Sequence, residues 1–313
     1  MKLGVCKILN KSVCYVDVFI KKSVVFSVIF QNTAIKNNFT DFLKSCVGGM
    51  DPVPKLYIIQ IGDELASTKY VGMKQKLGQK LGIEVVWHKF NDNVDIFELV
   101  KVVEEVRANN FGLIFQLPVP IKFKDLVYQT PIYSDVDLLG VDSDKLWEQG
   151  FLPPTIGAID LVLKKMMQNS NRYDENFIEY IEEKNEEMFV GKSVAIIGQG
   201  VLVGGPLLRY FKERQATIIS INKFTLNPAK LCRQADIVIS AAGKPNLVDR
   251  SWLKPRSILL DAATSEDNGS LAGDVDRGNI QKSVLLSPSP GGIGGLTVMY
   301  LFYNLLKLHL KRI

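Results

Sequence analysis

From Leu56 onward, apolar runs of strand length alternate with stretches of helical spacing, which restricts the chain to an α/β design with parallel strands joined by crossover helices. Leu56-Tyr-Ile-Ile-Gln-Ile-Gly62 predicts a buried strand that opens into a helix from near Ala66 to about Gly82. A strand at 83–89, a helix at about 95–109 and a strand at 111–117 continue the pattern, so a first α/β domain is expected over residues 1–150. A helix at about 156–167 leads onward, and the polar, acidic stretch 168–187 reads as an exposed excursion. The second series starts at Gly191-Lys-Ser-Val-Ala-Ile-Ile-Gly198-Gln-Gly200-Val-Leu-Val-Gly204-Gly205-Pro206, a strand, a glycine-rich turn and a helix start. Strands follow at 216–222 and 257–261, and between them Ala235-Asp-Ile-Val-Ile-Ser-Ala-Ala-Gly243-Lys-Pro245 is a strand running into a tight turn. The fold class is therefore α/β in two domains, the second a Rossmann-type domain over 151–285, with 286–313 a loop and a helix at 298–310 returning to the first.

Composition narrows the function classes. The 313 residues, 47% hydrophobic and 23% charged, can supply two buried cores. The net charge of +5 comes from 38 basic and 33 acidic residues that are well mixed, and no basic block is interleaved with aromatics, so nucleic acid is not an expected partner. A modest positive balance suits anionic small ligands. Cys6, Cys14, Cys46 and Cys232 show no paired short spacing, and His88 and His309 complete a ligand set too sparse for zinc, so no metal is expected. Apolar runs at 13–20 and 24–30 are interrupted by Asp17, Lys21 and Lys22 and are too short to span a bilayer. They resist assignment to helix or strand. No secretory signal is legible, and a cytoplasmic protein with reduced thiols and no membrane association is the expectation.

Ser67-Thr-Lys-Tyr70-Val-Gly-Met-Lys74 sets a hydroxyl, a phenol and an amine at spacings of three and four residues, which share one face of a helix. Tyr70 could hold the Lys74 amine while apolar neighbours desolvate it, drawing its pKa toward a value useful for proton transfer. The competing reading places Lys74 on a solvated stripe with Lys69, Lys76 and Lys80. Phe111-Gly-Leu-Ile-Phe-Gln116-Leu-Pro118-Val-Pro120 ends a buried strand with an amide, an unusual place for a glutamine that binds nothing. Ser287-Pro-Ser-Pro290-Gly291-Gly292-Ile-Gly-Gly-Leu-Thr297 makes a rigid loop with close backbone approach, suited to a flat ligand.

The glycine-rich turn reads Gly-x-Gly-x-x-x-Gly, a loose dinucleotide signature in which glycines admit a pyrophosphate to the amides of the following helix. On such a fold the cofactor lies along Gly198, Gln199, Gly200, Val203 and Gly204, beside Lys223 and against Ala242 and Gly243. Asn222 and Lys223 stand where an NAD site usually carries a carboxylate. A lysine attracts a 2′-phosphate, so the local chemistry leans toward NADP, with NAD the alternative.

Taken together, Tyr70-Val-Gly-Met-Lys74, Gln116-Leu-Pro-Val-Pro120, Asp135-Val-Asp137 and Pro290-Gly-Gly-Ile-Gly-Gly-Leu-Thr297 resemble, in order, four motifs of the bifunctional methylenetetrahydrofolate dehydrogenase/cyclohydrolase family. The resemblance extends over roughly residues 55–305. It implies an N-terminal folate-binding domain, a tetrahydrofolate derivative as substrate, a cleft between the domains, and a homodimer formed through the nucleotide-binding domains. By the same resemblance Lys74 is the catalytic lysine, Gln116 its hydrogen-bond partner, Tyr70 the ring over the folate and Asp137 the anchor for the pterin. Ser67, Pro290, Gly291, Gly292 and Thr297 complete the substrate site.

Several positions depart from the family pattern. Gln199-Gly200 replaces Arg-Ser in the glycine-rich turn, Leu138 replaces a glycine after Asp137, Pro154-Thr155-Ile156 replaces Cys-Thr-Pro, Asp261-Ala-Ala263 replaces Asp-Val-Gly, and Gly295-Leu296 replaces Pro-Met. The folate motifs are better kept than the cofactor motifs, so a cyclohydrolase with weakened dehydrogenase activity is a second expectation. A short-chain dehydrogenase also uses Tyr-x-x-x-Lys, but there the pair follows the glycine-rich turn and here it precedes it. A non-catalytic binding module on the same fold is the remaining alternative, against which Lys74, Gln116 and Asp137 stand together.

Overall fold

The computed structural model describes residues 28–30, 32–168, 177–183, 186–267 and 270–311. The apolar run at 13–20, most of that at 24–30, Cys6 and Cys14 lie outside them, as do 169–176 and 184–185 of the excursion. In chain order the elements begin with β1 (Val28–Ile29), α1 (Thr33–Gly48), β2 (Leu56–Ile61), α2 (Leu65–Leu81), β3 (Val85–Phe90), α3 (Ile96–Asn109) and β4 (Gly112–Gln116). Three short or linking helices, α4 (Lys124–Tyr128), α5 (Ser143–Glu148) and α6 (Pro154–Gln168), are followed by α7 (Phe177–Glu182). The remainder comprises β5 (Ser193–Ile197), α8 (Gly204–Glu213), β6 (Thr217–Ile221), α9 (Pro228–Cys232), β7 (Ile237–Ser240), β8 (Ile258–Asp261), β9 (Ser265–Asp267), β10 (Ser270–Ala272), β11 (Leu285–Ser287) and α10 (Ile293–Leu310). No helix among the described residues is long and apolar enough to cross a membrane.

The chain divides into two compact units, one of residues 38–157 with 296–313, the other of residues up to 37 with 158–295. This places residues 286–295 and the start of α1 with the second series of strands, where the sequence reading put a boundary at 150 and assigned the whole N-terminus to the first domain.

In the first unit, β3-β2-β4 form a parallel sheet with β2 in the centre. All six residues of β2 are buried, which explains its unbroken apolar character. Tyr57, Ile59 and Ile61 pack with Leu99, Val103 and Val106 of α3 and with Leu113 and Phe115 of β4. Helix α2 covers β3 closely at Gly78, where a Cβ would come within 2.4 Å of Val85 Cγ2. It ends at Gly82 in the left-handed conformation, with φ 78°.

In the second unit, the order β1-β11-β8-β7-β5-β6 is parallel throughout. Its core gathers Ala195, Ile197, Val238, Leu259 and Leu286. The run that resisted assignment in the sequence ends here as a strand, Val28–Ile29 pairing with Leu285–Leu286. The excursion is not wholly exposed. Helix α7 buries Phe177, Tyr180 and Ile181, and the buried Lys164 ammonium donates to the Tyr180 carbonyl at 3.1 Å while ion-pairing with Asp160 at 2.8 Å. The final helix also starts earlier than expected, at Ile293 rather than 298, so Thr297 lies inside it.

Candidate active site

Helix α2 is started by Glu64, whose carboxylate accepts from the Ser67 amide at 3.1 Å. Ala66, Ser67, Val71, Lys74, Gly78 and Leu81 form its buried stripe, whereas Lys76 and Lys80 are exposed. The solvated-stripe reading of Lys74 therefore fails: it is only 6% exposed. Ser67 Oγ lies within reach of both the Glu64 carboxylate and the Leu117 carbonyl, the latter at 2.8 Å, and gives its single proton to one at a time. Tyr70 stands half-buried one turn before Lys74.

Lys74 Nζ donates to Gln116 Oε1 at 2.8 Å, and Gln116 Nε2 donates to the Leu117 carbonyl at 3.3 Å. Those two contacts fix which way the amide points, since an ammonium requires the oxygen and a carbonyl requires the NH2. Gln116 is the last residue of β4, where the strand hands its side chain to the open end of a parallel sheet. Burial lowers the Lys74 pKa from its ordinary value, opposed by the negative charge of Asp137. Burial raises that of Asp137, opposed in turn by Lys74.

Asp137 is presented by a turn that Asp135 closes. The Asp135 carboxylate accepts from the Leu139 amide at 3.0 Å and the Gly140 amide at 2.7 Å, and burial pushes its pKa up to about 7. Leu138, standing where the family pattern has glycine, adopts the left-handed conformation with φ 58°. Ser67, Tyr70, Lys74, Gln116, Asp137 and Thr297 belong to one unit, and Pro290, Gly291 and Gly292 to the other. In that second unit Gly291 has φ 109°.

The glycine-rich turn is built as a dinucleotide cradle requires. Gly198 leaves β5 at φ 92°, and a Cβ there would come within 2.4 Å of the Ala241 carbonyl oxygen. A Cβ on Gly204, at the start of α8, would come within 2.0 Å of the Gly198 carbonyl oxygen. Gly200 has open space around it. Gln199 is exposed and donates to Ser220 Oγ of β6. Val203 caps α8, and Lys223, exposed beyond β6, lies 5.0 Å from the Phe224 ring centroid. These features fit a nicotinamide dinucleotide, whose phosphates would meet the positive end of α8 at Gly204, the Gly205 amide already donating to the Gly200 carbonyl at 3.0 Å and Pro206 having no N–H.

One further residue orders this half, and the sequence reading missed it. The fully buried Asp274 accepts from Ser240 Oγ at 2.5 Å, from the Ala242 amide at 2.8 Å and from the Lys244 amide at 2.7 Å, which fixes the turn holding Ala242 and Gly243. Asp261 in turn accepts from the Asp274 amide at 3.0 Å, and burial lifts its pKa to about 6. The available signal was the carboxylate immediately after Gly273, a glycine whose Cβ would come within 2.0 Å of Asp261 Oδ2. Among the described residues no group of three or more His, Cys, Asp or Glu could hold a metal ion, and Cys46 and Cys232 are free thiols.

Known families and solved proteins resemble the chain over most of its length. Residues 31–137 match the tetrahydrofolate dehydrogenase/cyclohydrolase catalytic domain and residues 175–313 its NAD(P)-binding domain. The chain is 33% identical over 307 residues to the bifunctional protein FolD of Borreliella burgdorferi, covering 92% of this chain and 93% of that protein. It is 31% identical over 255 residues to the FolD of Picrophilus torridus, covering 80% and 86%. A solved structure of the bifunctional FolD enzyme from Campylobacter jejuni superposes with a TM-score of 0.74 at 26% identity, covering 90% of this chain and 98% of that one. The fold is shared too by the Trypanosoma brucei methylenetetrahydrofolate dehydrogenase-cyclohydrolase solved with NADP and an inhibitor, with a TM-score of 0.76, 23% identity and coverage of 91% and 98%. The chain belongs to the tetrahydrofolate dehydrogenase/cyclohydrolase family.

Proposed function

We propose that this chain catalyses two consecutive steps of one-carbon folate metabolism, the NADP-linked oxidation of 5,10-methylenetetrahydrofolate to the methenyl cation and its hydrolysis to 10-formyltetrahydrofolate. The observation that carries the reading is the buried Lys74 amine, held by the Gln116 amide at 2.8 Å and facing the charge of Asp137.

Oxidation of a carbon bridging two amines leaves a nitrogen-stabilised cation, so no residue has to accept a proton in that step. The bound nicotinamide supplies the hydride acceptor. The chain's part is to hold the two reactants: Tyr70 and Asp137 at the pterin, Ser67, Pro290, Gly291, Gly292 and Thr297 around it, and Gly198, Gln199, Gly200, Val203, Gly204, Lys223, Ala242 and Gly243 along the dinucleotide.

Hydrolysis needs a base and then an acid. A neutral Lys74 takes a proton as water adds to the methenyl carbon, and the resulting ammonium returns a proton to N5 as the carbon–N5 bond breaks. The adduct hydroxyl then loses its proton to become the formyl oxygen, so one proton is released overall. Gln116 Oε1 holds the amine in line in both protonation states. Burial lowers the Lys74 pKa, which raises the share of uncharged amine able to act as the base at a given pH.

The reading includes a homodimer through the nucleotide-binding domains, a cytoplasmic location, and no nucleic-acid or membrane partner. A second reading, cyclohydrolase with weakened dehydrogenase activity, is favoured by Gln199, which stands at the family's arginine and is tied to Ser220, and by the bare Gly200. Steady-state rates of both half-reactions separate the two. Lys74→Met should lower methenyl hydrolysis by roughly two to four orders of magnitude while the protein stays folded. Hydrolysis at the wild-type rate in that variant would remove Lys74 from the mechanism.

A further inference from the structure

The loop that leads into α10 has two consecutive carbonyls, each held by a cation, one from far along the chain and one from 13 residues upstream. Lys36, in the first turn of α1, donates Nζ–H to the Gly291 carbonyl at 3.2 Å. Arg277 donates from its guanidinium to the Pro290 carbonyl at 2.9 Å. Behind them Ser289 Oγ donates to the Ala263 carbonyl at 2.7 Å, and the Gly292 amide to the Pro288 carbonyl at 2.7 Å. A segment of glycines and prolines is thus tied on both sides, although Gly291 itself occupies a backbone region that costs a glycine nothing to enter or to leave.

The third observation concerns Gly295, which stands where the family pattern has proline. A Cβ on Gly295 would lie 3.2 Å from Lys36 Cε and 3.3 Å from Lys36 Nζ. A Cβ at 295 would therefore press on the end of the Lys36 side chain, which would have to shift by a few tenths of an ångström. The lysine reaches the loop beside a residue that has no side chain to crowd it. Lys36 is half-buried, and desolvation holds its pKa below the ordinary lysine value.

We infer that Lys36 and Arg277 are positioning residues for the folate, pinning the Pro290 and Gly291 carbonyls so that the loop is ordered before the ligand arrives, and that Gly295 is bare to let Lys36 pass. This rests on the reading of Pro290, Gly291 and Gly292 as folate-binding residues. Only a donor can play the part, because both targets are carbonyl oxygens, and charged donors make the stronger bonds. Pre-ordering a loop lowers the cost of binding and leaves the chemistry at Lys74 untouched.

The test uses the full chain and the variants Lys36→Met, Lys36→Arg, Arg277→Met, Arg277→Lys and Gly295→Ala. The measurements are fluorescence titration with a folate analogue, KM and kcat for methenyl hydrolysis, and thermal melting. Lys36→Met and Arg277→Met should each raise Kd and KM about tenfold with kcat changed less than about twofold, and the Arg and Lys variants should recover most of the loss. Gly295→Ala should weaken folate binding in the same sense while raising the melting temperature through its better helix propensity. Combined with Lys36→Met it should add nothing further, since the two act on one contact. Wild-type affinity in Lys36→Met, or equal loss in Lys36→Met and Lys36→Arg, would overturn the inference. Should Lys36→Met fail to fold, Lys36→Arg and Gly295→Ala decide it. A wild-type protein that binds no folate would instead remove the functional reading, and this inference with it.

Discussion

Lys74 Nζ sits 2.8 Å from Gln116 Oε1, joining the third turn of α2 to the last residue of β4. The contact places an amine and an amide at the carboxyl end of a parallel sheet, where open strands deliver side chains to ligands. It also leaves the amine almost without water, so the balance between its two protonation states is set by burial on one side and by Asp137 on the other.

The pH dependence of hydrolysis follows from that balance. A base works when uncharged, so the rate should climb as pH rises through the lowered Lys74 pKa, well before the ordinary lysine range. Asp137 is the group that holds this pKa up, and Asp137→Asn should therefore move the acid limb to lower pH while also raising KM for the folate. A pH–rate profile of hydrolysis checks it; a limb displaced to higher pH would mean that the carboxylate does not act on Lys74. For stability the sign is the reverse of a favourable lysine contact: the folded state gives up the proton before the unfolded chain does, so burial of Lys74 costs most at low pH and the cost fades as pH rises.

Asp135 makes a separate prediction about the folded state. Its pKa is pushed up to about 7 by burial, so over the interval from about 4 to 7 the folded protein keeps a proton that the unfolded chain has released. Stability should fall as pH rises through that window and level off above it. Asp261, lifted to about 6, contributes in the same sense, whereas Asp236, held near 2 by Lys254, acts only below it. Melting temperatures from pH 4 to 8 should show a downward slope that is shallower in Asp135→Asn. The same slope in wild type and Asp135→Asn would contradict the placement of this carboxylate.

Leu138 carries two opposed effects in one residue. Its side chain is 6% exposed and contributes to the core, while its φ of 58° lies in the region that penalises a Cβ. Truncation to alanine loses the packing and keeps the backbone penalty; truncation to glycine loses slightly more packing and relieves it. Leu138→Gly should therefore be the more stable of the two variants by about 1 kcal/mol, with both below wild type. Urea denaturation midpoints would reveal the order, and an alanine variant more stable than the glycine one would mean that the turn has relaxed.

Much of the fold was legible because burial shows directly in residue type. The six buried residues of β2 could hardly be anything other than a central parallel strand, and the motif residues of α2 declared their face by spacing. What stayed hidden was where side chains serve backbone. Asp135 stands in the sequence only as part of a motif and Asp274 carries no signal of its role, yet each is buried and accepts from amides that no periodicity marks. Strand β1, two residues long, has no pattern of its own and is identified only by its partner β11. Helix α10 begins at Ile293, because Gly294 and Gly295 look unhelical but fall in a first turn whose amides have no intrahelical partner to lose. Helix α7 had a signal, Phe177, Tyr180 and Ile181 at helical spacing, that was outweighed by the acidic residues around it.

Gly204 and Gly200 of the dinucleotide turn should behave differently from one another, and Gln199 differently again. Gly204 cannot accept a Cβ, which would come within 2.0 Å of the Gly198 carbonyl oxygen, and that oxygen belongs to a residue fixed at φ 92° against the Ala241 carbonyl. Gly204→Ala must therefore open the turn and separate β5 from the start of α8, so dinucleotide binding should be lost while folate binding and methenyl hydrolysis persist. Gly200 meets nothing within 4 Å, and a side chain there costs no packing. Gly200→Ser restores the hydroxyl of the family pattern and should tighten NADP binding by roughly fivefold to tenfold, the worth of one added hydrogen bond to a phosphate. Gln199→Arg should add a preference for NADP over NAD, because a guanidinium meets a 2′-phosphate where the amide now meets Ser220. Titration of each variant with both dinucleotides reads all three outcomes. Retained binding in Gly204→Ala would mean that the cofactor does not lie on this turn.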